Sequence, residues 1–110
     1  MSDTTTAAAL LRDSVPEVLR ADEKALRALG VIHLSLFGSV ARGEERPDSD
    51  IDVMVDVDDD LTLFGMSRLK RHLQDVLGRR VDLVEREAIR PAYLPDILAD
   101  EIAVLLPLDG

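Results

Sequence analysis

An alternating run of residues between positions 50 and 57 constrains the fold most strongly. A β-strand points successive side chains to opposite faces, so alternation predicts a half-buried strand with one apolar face and one face that carries carboxylates. The apolar set is Ile51, Val53, Val55 and Val57, and the other set is Asp50, Asp52, Met54 and Asp56. The sequence therefore predicts a strand over Asp50–Val57.

Hydrophobic spacing in the rest of the chain predicts that helices and strands alternate. Helices are predicted over Ser14–Leu29 and about Thr62–Leu77, and a helix interrupted by prolines over Glu87–Ala99. Further strands are predicted over Val31–Phe37, Val81–Val84 and Ile102–Leu106. This order predicts an α/β (α+β) fold: a small mixed sheet of about four strands flanked by helices.

Composition narrows the classes of function. The chain has 110 residues, which predicts one domain over 1–110, with 1–8 expected to be disordered. It has no cysteine, which excludes disulfides, thiolate metal sites and a cysteine nucleophile, so any metal should be a hard cation on oxygen ligands. The net charge of −9 argues against direct nucleic-acid binding by the chain alone. No signal peptide or membrane span is evident, so a cytoplasmic location is expected.

Strand geometry indicates which two of the many acidic residues can act together as metal ligands. Asp50 and Asp52 point to the same side, with Cα atoms roughly 6.6 Å apart, so both can reach shared metal ions. Asp56 shares that face but lies about 13 Å beyond Asp52. A third carboxylate must come from another strand, and Asp82 lies within the predicted strand Val81–Val84. If the two strands are neighbours, the three carboxylates predict a site for two Mg²⁺ ions.

The turn after the Val31–Phe37 strand has the character of a phosphate site. Glycine at Gly38 lets backbone N–H groups approach a phosphate, and Ser39 adds a hydroxyl at the start of a short helix. Arg42 could contact a phosphate oxygen, or equally pair with Glu44 or Glu45 on the surface. These features predict a bound nucleoside triphosphate, attacked at its α-phosphorus with pyrophosphate leaving. There is no P-loop motif and no Gly-x-Gly-x-x-Gly motif.

Two segments resemble the core motif of the DNA polymerase β-like nucleotidyltransferase superfamily, and within it the minimal nucleotidyltransferase (MNT) group. The segments read Gly-Ser-Val-Ala-Arg-Gly at 38–43 and Pro-Asp-Ser-Asp-Ile-Asp-Val at 47–53. Arg-Val-Asp-Leu-Val at 80–84 is similar to the strand that supplies the third carboxylate. The resemblance runs from about Val31 to Leu106 and implies the nucleotidyltransferase fold.

The resemblance also implies roles and partners. Asp50, Asp52 and Asp82 would be catalytic and would ligate the metals, Asp82 helping to activate the acceptor hydroxyl. Gly38 and Ser39 would hold the triphosphate of ATP, with Arg42 as a less definite contact. Many MNT proteins are antitoxins encoded beside HEPN-domain ribonuclease toxins, and some transfer AMP to a tyrosine of the toxin. A chain of this size lacks the further domain of larger relatives, so a partner protein or a second copy is expected to complete the acceptor side.

Several alternatives stay open at this point. The fold could neutralise a partner by occlusion without catalysis, or the chain could transfer nucleotides to an RNA end. His33 is expected to be a structural histidine within a strand, and His72 is expected to face solvent. The basic cluster Arg68–Arg71 is interpreted as an exposed helix face, with a docking surface as the alternative.

Overall fold

A computed structural model describes residues 15–38 and 50–108, which contain a four-stranded mixed sheet. The strands are β1 (Val31–Phe37), β2 (Ile51–Val57), β3 (Val81–Glu85) and β4 (Ile102–Leu105). Their order across the sheet is β3-β2-β1-β4. Strand β1 is antiparallel to β2 and β4, whereas β2 and β3 are parallel. The predicted fold class and all four predicted strands are confirmed, with ends that differ by one residue at most.

One face of the sheet packs against helices and forms the hydrophobic core. The buried side chains of this face include Ile51, Val53 and Val55 of β2 and Leu34 and Leu36 of β1, and Val57 is partly buried against them. Leu19 and Leu26 from the N-terminal helices and Leu73 from the long helix cover them. Because burial of one aliphatic side chain contributes about 1.5–3 kcal/mol, this layer fixes which face of each strand turns inward.

The single helix predicted over Ser14–Leu29 is two helices in the structure. Helix α1 covers residues 15–21 and helix α2 covers Glu23–Ala28. Asp22 lies between them with φ −97° and ψ 11°, outside the helical range. Its carboxylate lies 2.6 Å from Nε2 of His72 on the next helix, so the break coincides with a contact between helices. Ser14, the first residue of the predicted helix, lies outside the described residues.

The long helix α3 (Leu63–Leu77) begins one residue after the predicted start and ends at the predicted residue. The Thr62 side chain accepts a hydrogen bond from the N–H of Gly65, which caps the first turn. Gly78 ends the helix in the left-handed conformation, with φ 68°. Leu69 and Leu73 are buried, whereas Arg68, Lys70 and Arg71 are exposed. The exposed basic face is therefore confirmed.

The region predicted as an interrupted helix, Glu87–Ala99, contains a 3-10 helix (Arg86–Ala88) and a short helix α4 (Leu94–Ala99). Pro91 falls in the turns between them, and Pro95 lies in the first turn of α4, where its missing N–H costs nothing. No helix of the described residues has the length and apolar character needed to cross a membrane.

The second face of the sheet is more covered than the alternation predicts. Met54 is fully buried, and it lies opposite Ser35, which is also fully buried. The 3-10 helix packs against β2. A half-buried strand predicts that this face is exposed, and at Met54 that expectation is wrong because the side chain is fully buried. Asp52 and Asp56 on the same face keep partial exposure, as predicted.

Candidate active site

Two of the three predicted carboxylates lie directly opposite each other on neighbouring strands. The parallel ladder of β2 and β3 pairs Asp52 with Asp82, between the pairs Ile51–Val81 and Val53–Leu83. Residues in register on adjacent parallel strands share a face, about 4.8 Å apart across the ladder. Asp52 is half-buried and Asp82 is exposed. The register brings two negative charges to one edge of the sheet, where a cation would relieve their repulsion.

Asp50 lies just before β2, at the same edge. The N–H of Ile51 donates to the carbonyl of Arg80 at 2.9 Å, which extends the ladder by one step. This places Asp50 beside Arg80, and its Oδ1 lies 3.3 Å from the Arg80 Nε. The side chains of Arg80 and Asp50 are 79% and 46% exposed. Exposed pairs of this kind contribute about 0–1 kcal/mol, so a metal ion could displace the guanidinium.

Gly38 directly follows β1 and lies against the carboxylate of Asp52. The antiparallel register pairs Phe37 with Asp52, so the next residue comes close to that side chain. A Cβ atom built on Gly38 would lie 2.2 Å from Oδ2 of Asp52, and the backbone has φ +71°. Glycine is required here because any side chain would clash with Asp52, and because the left-handed backbone disfavours residues with a Cβ atom. Ser39 and Arg42, the other predicted phosphate contacts, lie outside the described residues.

The carboxylates of Asp50, Asp52 and Asp82 are suitable ligands for a divalent cation, but their side chains do not converge on one point in this structure. In residues 15–38 and 50–108, no three acidic or histidine side chains gather closely enough to hold a metal ion together. The backbone nevertheless brings Asp50, Asp52 and Asp82 to one edge, and carboxylate oxygens are the ligands that Mg²⁺ and Mn²⁺ prefer. Convergence requires the Asp50 side chain to turn away from Arg80. The roles of these three residues stay predictions.

Arg80 is the residue that sequence reasoning missed. The signal was present in the register: Arg80 stands two residues before Asp82, just as Asp50 stands two residues before Asp52. Once the two strands are parallel and paired at the aspartates, the residues two positions earlier must also meet. An unrecognised basic residue thus lies beside the first predicted metal ligand.

A buried polar group lies on the same face, farther from the edge. The Ser35 hydroxyl donates a short hydrogen bond to the carboxylate of Glu101, and it lies 3.5 Å from Nδ1 of His33. His33 is 9% exposed and pairs in register with Asp56, at the far end of β2 from Asp52. His33 lies buried within β1, and Asp56 lies away from the site, as its spacing predicts. The expectation that His72 only faces solvent is wrong, because it contacts Asp22.

Comparison with known proteins decides the family. A model of the nucleotidyltransferase domain matches residues 19–105, a span that contains the whole edge described above. The chain belongs to the nucleotidyltransferase domain family. The resemblance to its MNT group is confirmed by the relatives that follow.

This nucleotidyltransferase is similar to the protein adenylyltransferase MntA of Thermococcus cleftensis. The two are 34% identical over 98 residues, which cover 88% of this chain and 99% of that protein. It is also similar to a solved structure provisionally named a minimal nucleotidyltransferase, with 38% identity, a TM-score of 0.66, and coverage of 79% of this chain and 93% of the other. Curated relative and solved structure therefore agree on the family and the fold.

A more distant likeness is to a structure from Shewanella oneidensis, described as a tri-AMPylated HEPN toxin in complex with an MNT antitoxin. The identity is 20%, the TM-score is 0.57, and the match covers 90% of this chain and 72% of the other. At this identity the likeness shows the shared fold alone. The nucleotidyltransferase described here has the same arrangement of sheet and helices.

Proposed function

We propose that this nucleotidyltransferase transfers AMP from ATP to a hydroxyl group of a partner protein. The acceptor is a tyrosine of a HEPN-type ribonuclease toxin, which makes the chain an antitoxin. The observation that carries the proposal is the edge at which Asp52 faces Asp82 in register while Gly38 lies against Asp52. ATP as donor also favours a cytoplasmic location, and the 110 residues would form one catalytic domain.

The proposed roles follow from position. Asp50, Asp52 and Asp82 would hold two Mg²⁺ ions, which supply charge neutralisation at the transferring phosphoryl group. Gly38 and Ser39 would bind the triphosphate through N–H groups, with Arg42 as a further contact. Asp82 is exposed on the edge strand β3, so it suits the acceptor side, where it would take the proton of the attacking hydroxyl.

The reaction is a displacement at the α-phosphorus. The acceptor oxygen forms a bond to that phosphorus, the bond to the β-phosphate oxygen breaks, and pyrophosphate leaves. The hydroxyl proton passes to a carboxylate at the site. The half-buried Asp52, held between Gly38 and the Asp82 strand, has little freedom to move, which favours a fixed geometry for this step.

The names of similar proteins support a HEPN-type toxin as the partner. The relative from Thermococcus cleftensis bears the name protein adenylyltransferase, and the Shewanella oneidensis structure is described as a HEPN toxin modified by AMP. The net charge of −9 supports a protein acceptor over a nucleic acid, since phosphate backbones attract basic surfaces.

One observation favours a second candidate function, neutralisation by occlusion without catalysis. Asp50 pairs with Arg80 in the structure, and a chain that never used a metal could keep this ion pair permanently. In that case the fold would act as a binding module. The two functions differ in whether Asp50 and Asp52 are needed chemically.

The test is intact-mass analysis of a HEPN-type toxin after co-expression with this chain. Adenylyl transfer predicts a mass increase of the toxin by whole AMP units, and loss of that increase in Asp50→Asn/Asp52→Asn. The control variant is Asp96→Asn, which removes one exposed carboxylate on α4, away from the site. Excess EDTA should stop transfer in the purified pair.

Two results would overturn the proposal. The first is full neutralisation of the toxin, without a mass change, by Asp50→Asn/Asp52→Asn expressed at the native level; this supports occlusion. The second is transfer that continues in excess EDTA, which contradicts the carboxylate assignment. Mn²⁺ titration of the isolated chain, followed by calorimetry, separates loss of metal binding from loss of partner binding.

A further inference from the structure

Two large apolar side chains at the start of α3 are almost fully exposed. Leu63 is 85% exposed and Phe64 is 84% exposed. The chain has only three aromatic residues, two phenylalanines and one tyrosine, and one of them stands here in solvent. Within 15–38 and 50–108 nothing covers these two side chains. Adjacent exposed apolar residues of this size are typical of a contact surface.

A shallow groove lies next to Phe64. It runs between α3 and the edge strand β3, has a volume of about 370 Å³, and has Leu63, Met66 and Leu83 in its walls. Ser67 and the Lys70 side chain complete the lining. The apolar walls can contact an aromatic ring, and Lys70 at the rim can pair with an acidic residue close to that ring in the bound partner. Phe64 does not line the groove, but its neighbour Leu63 does. The Phe64 ring and the groove are therefore adjacent on one surface.

The charges around this surface form two opposite groups. Asp59 and Asp60 are exposed just before α3, and Arg68, Lys70 and Arg71 are exposed one to two turns after Phe64. Four residues of helix rise about 6 Å, so Arg68 lies about that far from Phe64 along the axis. A second copy of α3 that runs antiparallel to the first, with Phe64 at the crossing point, would place its acidic group against the basic group of the first copy. The pattern is complementary to itself.

We propose that this surface binds a second copy of the chain about a two-fold axis near Phe64. Each Phe64 inserts into the α3–β3 groove of the other copy, and Arg68 of each copy faces Asp60 of the other. In a chain of net charge −9, two copies repel each other over most of their surface. The basic face of α3 is where an acidic second copy meets opposite charge, so the charge balance favours this surface for the approach.

The proposed contact leaves the candidate active site open. Asp52 lies at the start of β2, whereas α3 begins after the chain has run the length of β2 and turned. The groove also lies on the face of the sheet opposite to the site, because Leu83 in its wall and the neighbouring Asp82 point to opposite faces of β3. A dimer of this kind would present two sites to acceptors, and it does not depend on the proposed function.

Sedimentation equilibrium of the purified chain, at concentrations up to a few hundred micromolar, tests the proposal. We expect a monomer–dimer equilibrium that Phe64→Ser weakens roughly thirtyfold or more, as expected for a central aromatic anchor. The matched control is Tyr93→Ser, which removes another exposed aromatic side chain and should leave the equilibrium unchanged. Circular dichroism must show that both variants remain folded.

Charge exchange gives an independent test. Asp60→Arg and Arg68→Asp should each weaken the dimer, and the double variant should restore it, because the pair is remade across the axis. A chain that is monomeric at every concentration overturns the proposal. So does a dimer that Phe64→Ser leaves intact, since its contact lies elsewhere. If Phe64→Ser instead abolishes binding of the toxin while the isolated wild-type chain is a monomer, the surface belongs to that partner and the proposal is wrong.

Discussion

Asp52 and Asp82 lie opposite each other in the parallel ladder of β2 and β3, and Asp52 also lies against Gly38 at the end of β1. Three strands thus meet at one carboxylate. Because β1 is antiparallel to β2, its last residue arrives where β2 begins, and because β3 is parallel to β2, it begins there too. The topology, more than any single loop, assembles the candidate site.

The paired aspartates should cost stability in the absence of metal. Asp82→Asn removes one of two neighbouring negative charges, so we expect the free energy of unfolding of the metal-free chain to rise by about 0.5–1 kcal/mol. The same variant should bind Mn²⁺ at least about tenfold more weakly, because one charged ligand is lost. Urea unfolding and Mn²⁺ calorimetry measure the two effects. Equal Mn²⁺ affinity in the variant and the wild type would remove Asp82 from the metal site.

Alanine substitutions at Gly38 and Gly78 can distinguish the effect of backbone strain from the effect of a clash with Asp52. Both have left-handed backbone, with φ +71° and +68°, but a Cβ on Gly38 meets Asp52 at 2.2 Å and a Cβ on Gly78 meets nothing within 4 Å. Alanine at either position should therefore lower stability by about 1–2 kcal/mol. Only Gly38→Ala should also displace the Asp52 carboxylate and weaken Mn²⁺ and ATP binding. If Gly78→Ala weakens binding equally, strain alone accounts for both effects.

Much of this arrangement could be predicted from the sequence. The alternation over Asp50–Val57 predicted a strand and its faces, and hydrophobic spacing predicted α3 to within one residue. The adjacency of the Asp82 strand was stated as a condition, and the observed ladder meets it. These features are local, since strand periodicity and helix capping depend on residues close together in the chain.

The features that escaped prediction depend on tertiary contacts. Met54 fits a solvent-facing position by alternation, but tertiary packing buries it completely. Asp22 looks like an ordinary helix residue until His72 from α3 is placed beside it. Arg80 becomes a neighbour of Asp50 only when the parallel register is known. The last two cases join residues 30 or more positions apart in the sequence, which local patterns do not specify.

Arg80 is expected to compete with metal for Asp50. Arg80→Gln removes the guanidinium 3.3 Å from the Asp50 carboxylate, so the carboxylate should be free to turn toward a cation. The pair is exposed, so stability should change by less than about 0.5–1 kcal/mol, while Mn²⁺ affinity in the absence of nucleotide should increase several-fold. Arg90→Gln, which removes an exposed positive charge elsewhere, serves as control. A matching increase in the control would indicate a general charge effect.

The contact between Asp22 and His72 should hold the N-terminal helices to α3. Their side chains are only 23% and 29% exposed, with 2.6 Å between Oδ2 and Nε2. Asp22 makes no capping hydrogen bond to α2, so Asp22→Ala tests the contact without loss of a cap. A cycle with His72→Ala should give a coupling energy of about 0.5–1 kcal/mol in urea unfolding. Both variants should speed amide exchange in α2 while β2 remains protected, because the core beneath the sheet is untouched. A coupling energy near zero would mean that core packing at Leu19 and Leu26 suffices to dock these helices.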